Sequence, residues 1–162
     1  MNSTPGKRRV LSHTQNLDAP PEAVFPLLCP VREYDWIDGW SCRMVHSRSG
    51  LAEAGCVFTT ELEDGIEEVW VVSRYEPPAT IAFTKFAAGL YTVQYDISLA
   101  PTDDGATHAV WTQVMTGLGA AGNQRIDAID AVAFHRRFAY VEKQLNHFLK
   151  SGDKLRPDGS RE

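Results

Sequence analysis

The stretch Tyr91-Thr92-Val93-Gln94-Tyr95-Asp96-Ile97-Ser98-Leu99-Ala100 sets apolar or aromatic side chains at 91, 93, 95, 97 and 99, and polar ones at the four positions between. A period of two is the signature of a β-strand with one buried face and one wet face. Further along, Ala131, Phe134, Phe138, Val141, Leu145 and Phe148 recur at spacings of three and four. Set about 100° apart they form one stripe, which predicts a single amphipathic helix of about 25 residues from Asn123 or Gln124 to Lys150. Such a helix must lie across something, and the face of a strongly curved antiparallel sheet is the partner large enough.

Working outward from Tyr91–Ala100, the neighbouring segments also read as strands. Thr80 to Phe86 precedes it across Ala87-Ala88-Gly89-Leu90, and Thr107 to Thr116 follows the turn Pro101-Thr102-Asp103-Asp104-Gly105. Upstream, Ile66 to Tyr75 joins Gly55 to Glu63 through Glu63-Asp64-Gly65, a hairpin turn, and Trp40 to Ser47 is one strand more. Pro77-Pro78 separates two of these runs. Arg9 to Leu17 is a first strand, after which Asp18-Ala19-Pro20-Pro21 leads into a short helix that Pro26 and Pro30 confine. A second short helical piece, Val31 to Trp36, ends near Asp38-Gly39. The prediction is an α+β domain of about seven strands over residues 9–150, flanked by flexible tails at 1–8 and 151–162.

Length and charge exclude several classes. A chain of 162 residues holds one domain of ordinary size. Sixteen basic against 21 acidic residues give a net charge of −5, which offers no attraction to nucleic acid, and Lys7-Arg8-Arg9 reads as a solvated lead-in to the first strand. There is no apolar run long enough to span a membrane, and the N-terminal stretch, with no apolar run behind its basic residues, is not expected to act as a secretory signal. Cys29, Cys42 and Cys56 are odd in number and lack a CxxC pair, so they read as reduced thiols in a cytoplasmic protein. His13, His46, His108, His135 and His147 show no metal-binding spacing, and neither metal nor cofactor is expected. Gly117-Leu118-Gly119-Ala120-Ala121-Gly122 matches GxGxxG by letter, but it closes an antiparallel meander rather than a βαβ unit, and it reads as a hinge before the long helix.

The order of strand, two short helices, six strands and one long helix resembles the helix-grip fold of the START-like, or SRPBCC, superfamily, which includes Bet v 1 allergens, polyketide cyclases and dehydratases, and activators of the heat-shock ATPase. The resemblance, to small single-domain bacterial members, is carried by Leu17-Asp18-Ala19-Pro20-Pro21-Glu22-Ala23-Val24-Phe25, by Arg74-Tyr75-Glu76-Pro77-Pro78-Ala79-Thr80-Ile81-Ala82-Phe83, by the strand with Trp111, and by the terminal helix. It implies a cavity between sheet and helix that takes a hydrophobic, aromatic or lipid-like small molecule. A pocket for a drug-sized ligand begins at about 300 Å³. The resemblance carries no invariant catalytic set, and the chemistry must be argued from the site.

Four Trp, five Tyr and seven Phe make the aromatic residues the natural lining. Phe58, Trp70, Phe83, Tyr91, Tyr95 and Trp111 on the strands and Phe134 and Phe138 on the helix are the candidates, with Trp36 and Trp40 at the entrance. The plainer reading is that these rings pack on one another. Glu68 and Trp70 share one face of their strand and Val69 and Val71 the other, which leaves the inward face open; a Glu68–Arg74 pair inside would mark a polar ligand site. Asp127, Glu68 and His135 are the candidates for moving a proton in an alternative cyclase- or dehydratase-like enzyme, which requires two of them in one pocket. Asp127 falls in the helical stripe and Asp130 at its edge, where the helix dipole alone favours a carboxylate. A third alternative, an interaction module like the chaperone activators, expects an exposed apolar patch and no open cavity. A homodimer is compatible with all three.

Overall fold

The structure is a computed structural model, and it describes residues 4–157. Seven strands, β1 (Arg8–Leu17), β2 (Arg43–His46), β3 (Val57–Glu61), β4 (Glu67–Glu76), β5 (Thr80–Ala87), β6 (Tyr91–Pro101) and β7 (Thr107–Gly117), form one sheet. Their spatial order is β1-β7-β6-β5-β4-β3-β2, with every pairing antiparallel. β1 and β2 are thus neighbours in sequence yet lie at opposite edges. The short helices α1 (Pro21–Val24), which continues as a 3-10 turn over Phe25–Leu28, and α2 (Glu33–Trp36) span that distance. This is the predicted α+β helix-grip architecture.

The period of two in β6 is realised as an inner row: Tyr91, Val93, Tyr95, Ile97 and Leu99 are buried, and the positions between them face outward. On β4, Glu68, Trp70 and Val72 are the buried set, which decides the face that the sequence left open. β2 is shorter than the stretch from Trp40 to Ser47. Its start is held by side chains instead: the Trp40 indole donates to Pro30 O at 2.8 Å, and the Tyr34 hydroxyl donates to Cys42 O at 2.9 Å.

The C-terminal segment differs from the single helix expected. α3 (Ala120–Asp127) stops, residues 128–130 break the path, and α4 (Ala131–Ser151) begins afresh. Asp130 is the N-cap of α4, its carboxylate accepting from Val132 N at 2.8 Å and Ala133 N at 3.3 Å. The apolar stripe starts at Ala131, so the periodicity itself covers only α4. Two hydrogen bonds seat α4 on the edge strand: Gln15 Nε2 donates to Phe138 O at 2.8 Å, and Asn146 Nδ2 donates to Asn16 O at 2.9 Å. Gly152, at φ +74°, takes the left-handed conformation that ends the helix.

The glycine-rich segment serves close approach rather than a hinge. A Cβ on Gly122 would lie 1.7 Å from Leu90 O, and one on Gly117 would lie 2.5 Å from Asn123 Oδ1. With Leu118 N donating to Leu90 O at 2.7 Å, α3 is pressed onto the turn between β5 and β6. Asn123 also holds the chain ahead of β1, accepting from Lys7 N at 2.8 Å and donating to Pro5 O at 2.9 Å. The outermost parts of the expected tails, 1–3 and 158–162, lie outside the described residues.

Candidate functional site

A rung of inner-face residues crosses four strands: Trp70 on β4 is opposite Lys85 on β5, Lys85 opposite Val93 on β6, and Val93 opposite Met115 on β7. Lys85 stands at the parity of Ile81 and Phe83, where β5 otherwise buries apolar groups. Its cation is met inside: Nζ lies 3.0 Å from Glu68 Oε1 and 3.1 Å from Oε2, and 4.5 Å from the centre of the Trp70 ring. The Tyr91 hydroxyl donates to Glu68 Oε1 at 2.7 Å. The Glu68 side chain is 4% exposed and that of Lys85 14%. Burial pulls the Lys85 amine below its usual value, although Glu68 opposes the shift. Burial, and then the Glu68 carboxylate, push the Tyr91 phenol up.

These three side chains form one wall of a cavity of about 190 Å³ that opens to solvent. Val93, Met115, Ile126 and Ile129 supply its apolar side, Gln113 and Arg125 further polar groups. Arg125 is engaged with Asp64, whose carboxyl it holds below the usual range. α3 and the break after it therefore roof the pocket, and the unexpected end of the helix is what places Ile129 there.

The pocket is smaller than the roughly 300 Å³ expected of a drug-sized site. The reason lies in the aromatic residues beside it. Trp70 stacks on Phe58 with centroids 5.3 Å apart, Phe83 stands edge-on to both, and Tyr95 contacts Trp70, Phe83, Trp111 and Phe138. Trp111 meets Phe138 at 5.5 Å, and half-buried Phe134 meets Phe138 at 4.6 Å. Thus Phe58, Trp70, Phe83, Tyr95, Trp111, Phe134 and Phe138 touch one another, and among the expected lining residues Tyr91 is the one on the wall of this pocket. Trp36 is fully buried with its indole donating to Leu27 O at 2.8 Å, and Trp40 is half-buried; both pin the segment between β1 and β2.

The proton-moving candidates separate. Glu68 faces the pocket, with Lys85 as its partner, while Arg74 lies beyond a register shift in β4 and pairs with Glu76 at 2.7 Å. Asp127, expected in the apolar stripe, is more than half exposed and paired with Lys7, because α3 ends at that residue. His135 sits at the seam of α4 and β1, its Nδ1 3.0 Å from that of His13. Burial, then His135, lower the His13 pKa against the pull of Glu142. Glu33 on α2 was not singled out in the sequence. Burial pushes its carboxyl up to about 8, and it in turn helps to raise the Tyr95 phenol, after burial itself. Lys85 did carry a signal, a lone cation at an apolar parity; Glu33, set between Arg32 and Tyr34, carried none.

No protein-family model matches the chain, and no curated protein matches it. Solved structures do. Ara h 8.0201, a Bet v 1-type allergen, is 15% identical over 90% of this chain and 99% of its own, with a TM-score of 0.60. The chain has the Bet v 1-like, or SRPBCC, fold. An uncharacterized protein from Rhizobium leguminosarum shares this helix-grip fold at 14% identity, covering 90% of this chain and 96% of its own, TM-score 0.60. DynU16, from the dynemicin biosynthetic locus, shares it at 16% identity and TM-score 0.56, and the match covers 93% of this chain but 49% of DynU16. At these identities the likeness extends to the fold alone. No helix among the described residues is long and apolar enough to cross a membrane, and no cluster of three or more metal-ligating side chains occurs among them.

Proposed function

We propose that this protein binds a small, neutral, amphipathic molecule in the pocket between the sheet and α3. The observation that carries the reading is a buried Lys85–Glu68–Tyr91 group on one wall of a cavity whose other wall is Val93, Met115, Ile126 and Ile129. Buried charge is costly unless it is paired and hydrogen-bonded, and its presence beside an open cavity fits a polar anchor better than a packing role. Both pocket cations already have carboxylate partners, Glu68 for Lys85 and Asp64 for Arg125, so a neutral ligand adds no unmatched charge. The cavity volume favours a ligand of about one ring over a long acyl chain or a polycyclic polyketide. Free thiols at Cys29, Cys42 and Cys56 accord with a cytoplasmic setting.

Native mass spectrometry of the purified protein tests the reading through a co-purifying small molecule, and titration with one-ring alcohols followed by tryptophan emission tests it directly, because Trp70 lies against Lys85. Saturable binding that is lost on filling the pocket with Val93→Trp is the expected result. Absence of binding by any one-ring probe would sink it. The cyclase- or dehydratase-like alternative asked for two of Asp127, Glu68 and His135 in one pocket, and it now rests on Glu68 alone. The interaction-module alternative asked for no open cavity, which the pocket at Lys85 argues against.

A further inference from the structure

We propose that Lys85 is a covalent attachment point for small aldehydes or ketones, held as a reversible Schiff base with Glu68 as the proton carrier. This rests on the reading of the pocket as a ligand site and names the chemistry of the ligand. Of the chain's five lysines, Lys7, Lys143 and Lys150 are exposed, whereas Lys85, its side chain 14% exposed, lines the cavity. An amine becomes a nucleophile when it loses its proton, and burial in an apolar setting favours that loss. Lys85 has the burial, and it has an acceptor for the proton at 3.0 Å and 3.1 Å in the two oxygens of Glu68. Tyr91 holds that carboxylate in place through Oε1.

The ligand class follows from charge and bonding together. An anion approaching Nζ would meet a cation that already has the Glu68 carboxylate 3.0 Å from it, and the like charge of that carboxylate would repel it. A carbonyl compound brings no charge. In the step itself, the ammonium proton passes to Glu68, and the freed electron pair forms a bond to the carbonyl carbon. Proton transfer from nitrogen to oxygen gives the carbinolamine. Glu68 then returns its proton to the hydroxyl, the carbon–oxygen bond breaks, water leaves, and the nitrogen is left as a protonated imine. Two of the three ammonium hydrogens depart in the water. The cation–carboxylate pair is present before and after, so the buried charge stays matched throughout. The apolar side of the cavity holds the body of the ligand and limits the water that would hydrolyse the imine.

The test is reductive trapping of the full chain with benzaldehyde and sodium cyanoborohydride, followed by peptide mapping, alongside a separate titration with benzyl alcohol, which fits the same space and cannot form an imine. The expected result is benzylation of Lys85 about tenfold or more faster than of Lys143 and Lys150. Benzyl alcohol should slow the labelling of Lys85 and leave that of the surface lysines unchanged. Lys85→Arg keeps a cation beside Glu68 but forms no imine under these conditions, so the fast label should be lost while the labelling of Lys143 and Lys150 is unchanged. If benzyl alcohol binds but Lys85 labels no faster than the surface lysines, the covalent proposal is overturned and the pocket reading stands. If neither probe engages the pocket, both fall.

Discussion

Replacing Lys85 by Met removes one charge from a buried pair and leaves its partner inside. The Glu68 side chain is 4% exposed and would retain only the Tyr91 hydroxyl as a donor. Breaking a buried pair from one side costs roughly 3–5 kcal/mol, and loss of the cation over Trp70 adds about 1 kcal/mol. Methionine keeps most of the aliphatic stem, so little packing is lost, and a net cost of at least about 4 kcal/mol is expected. For a chain of this length that is a fall of about 8–16 °C in Tm. Urea unfolding followed by tryptophan fluorescence measures it. The variant Glu68→Gln/Lys85→Met should recover most of the loss, since Tyr91 can donate to the amide oxygen and no buried charge remains. The coupling between the two sites should then exceed about 1 kcal/mol in a double-mutant cycle. If Lys85→Met costs under about 1 kcal/mol, the figure for a solvated surface pair, the pair is not desolvated and the polar-anchor argument fails with it.

Glu33 gives a pH dependence of defined sign. With its carboxyl raised from 4.5 to about 8, the folded chain holds a proton there that the unfolded chain has released, so stability is full below about pH 4.5 and is lost as pH rises to 8. At about 1.4 kcal/mol per pH unit the loss would near 5 kcal/mol, and because Glu33 is only half-buried as a residue, roughly 2–3 kcal/mol is expected. Glu33→Gln should flatten this slope, and parallel urea midpoints for variant and parent between pH 5 and pH 8.5 would refute the assignment. Gly122→Ala drives a methyl group into Leu90 O and should cost about 3 kcal/mol or more, read as a drop in Tm; a neutral outcome would mean that α3 is free to shift. Asp130→Ala should cost about 1 kcal/mol through loss of the cap. Asp127→Ala should fall within about 0.5 kcal/mol of the parent, and thermal melts of the two variants side by side separate capping from surface pairing.

The alternation through Tyr91–Leu99 and the stripe from Ala131 to Phe148 were enough to read the sheet, the long helix and the way they meet. Each is a local period set by backbone geometry, and each holds in the structure at the residues that carry it. The end of α3 escaped because a break costs only a few residues, and no Pro marks it; Asp130 has the chemistry of an N-cap, but the same carboxylate suits the first turn of a continuing helix. The aromatic residues were read as lining because their faces were right. Whether facing rings enclose space or fill it depends on their rotamers and on the distance between layers, which no period records.

The sequence by itself determined the element order, the inner row of β6, the apolar face of α4 and the class of fold, because hydrophobic period and turn chemistry are properties of neighbours along the chain. Only the tertiary structure decided the inward face of β4, the pairing of Glu68 with Lys85 in place of Arg74, the burial of Glu33 and the size of the pocket. These depend on strand register and on residues far apart in sequence meeting across the sheet, where a shift of one position turns a side chain to the other face.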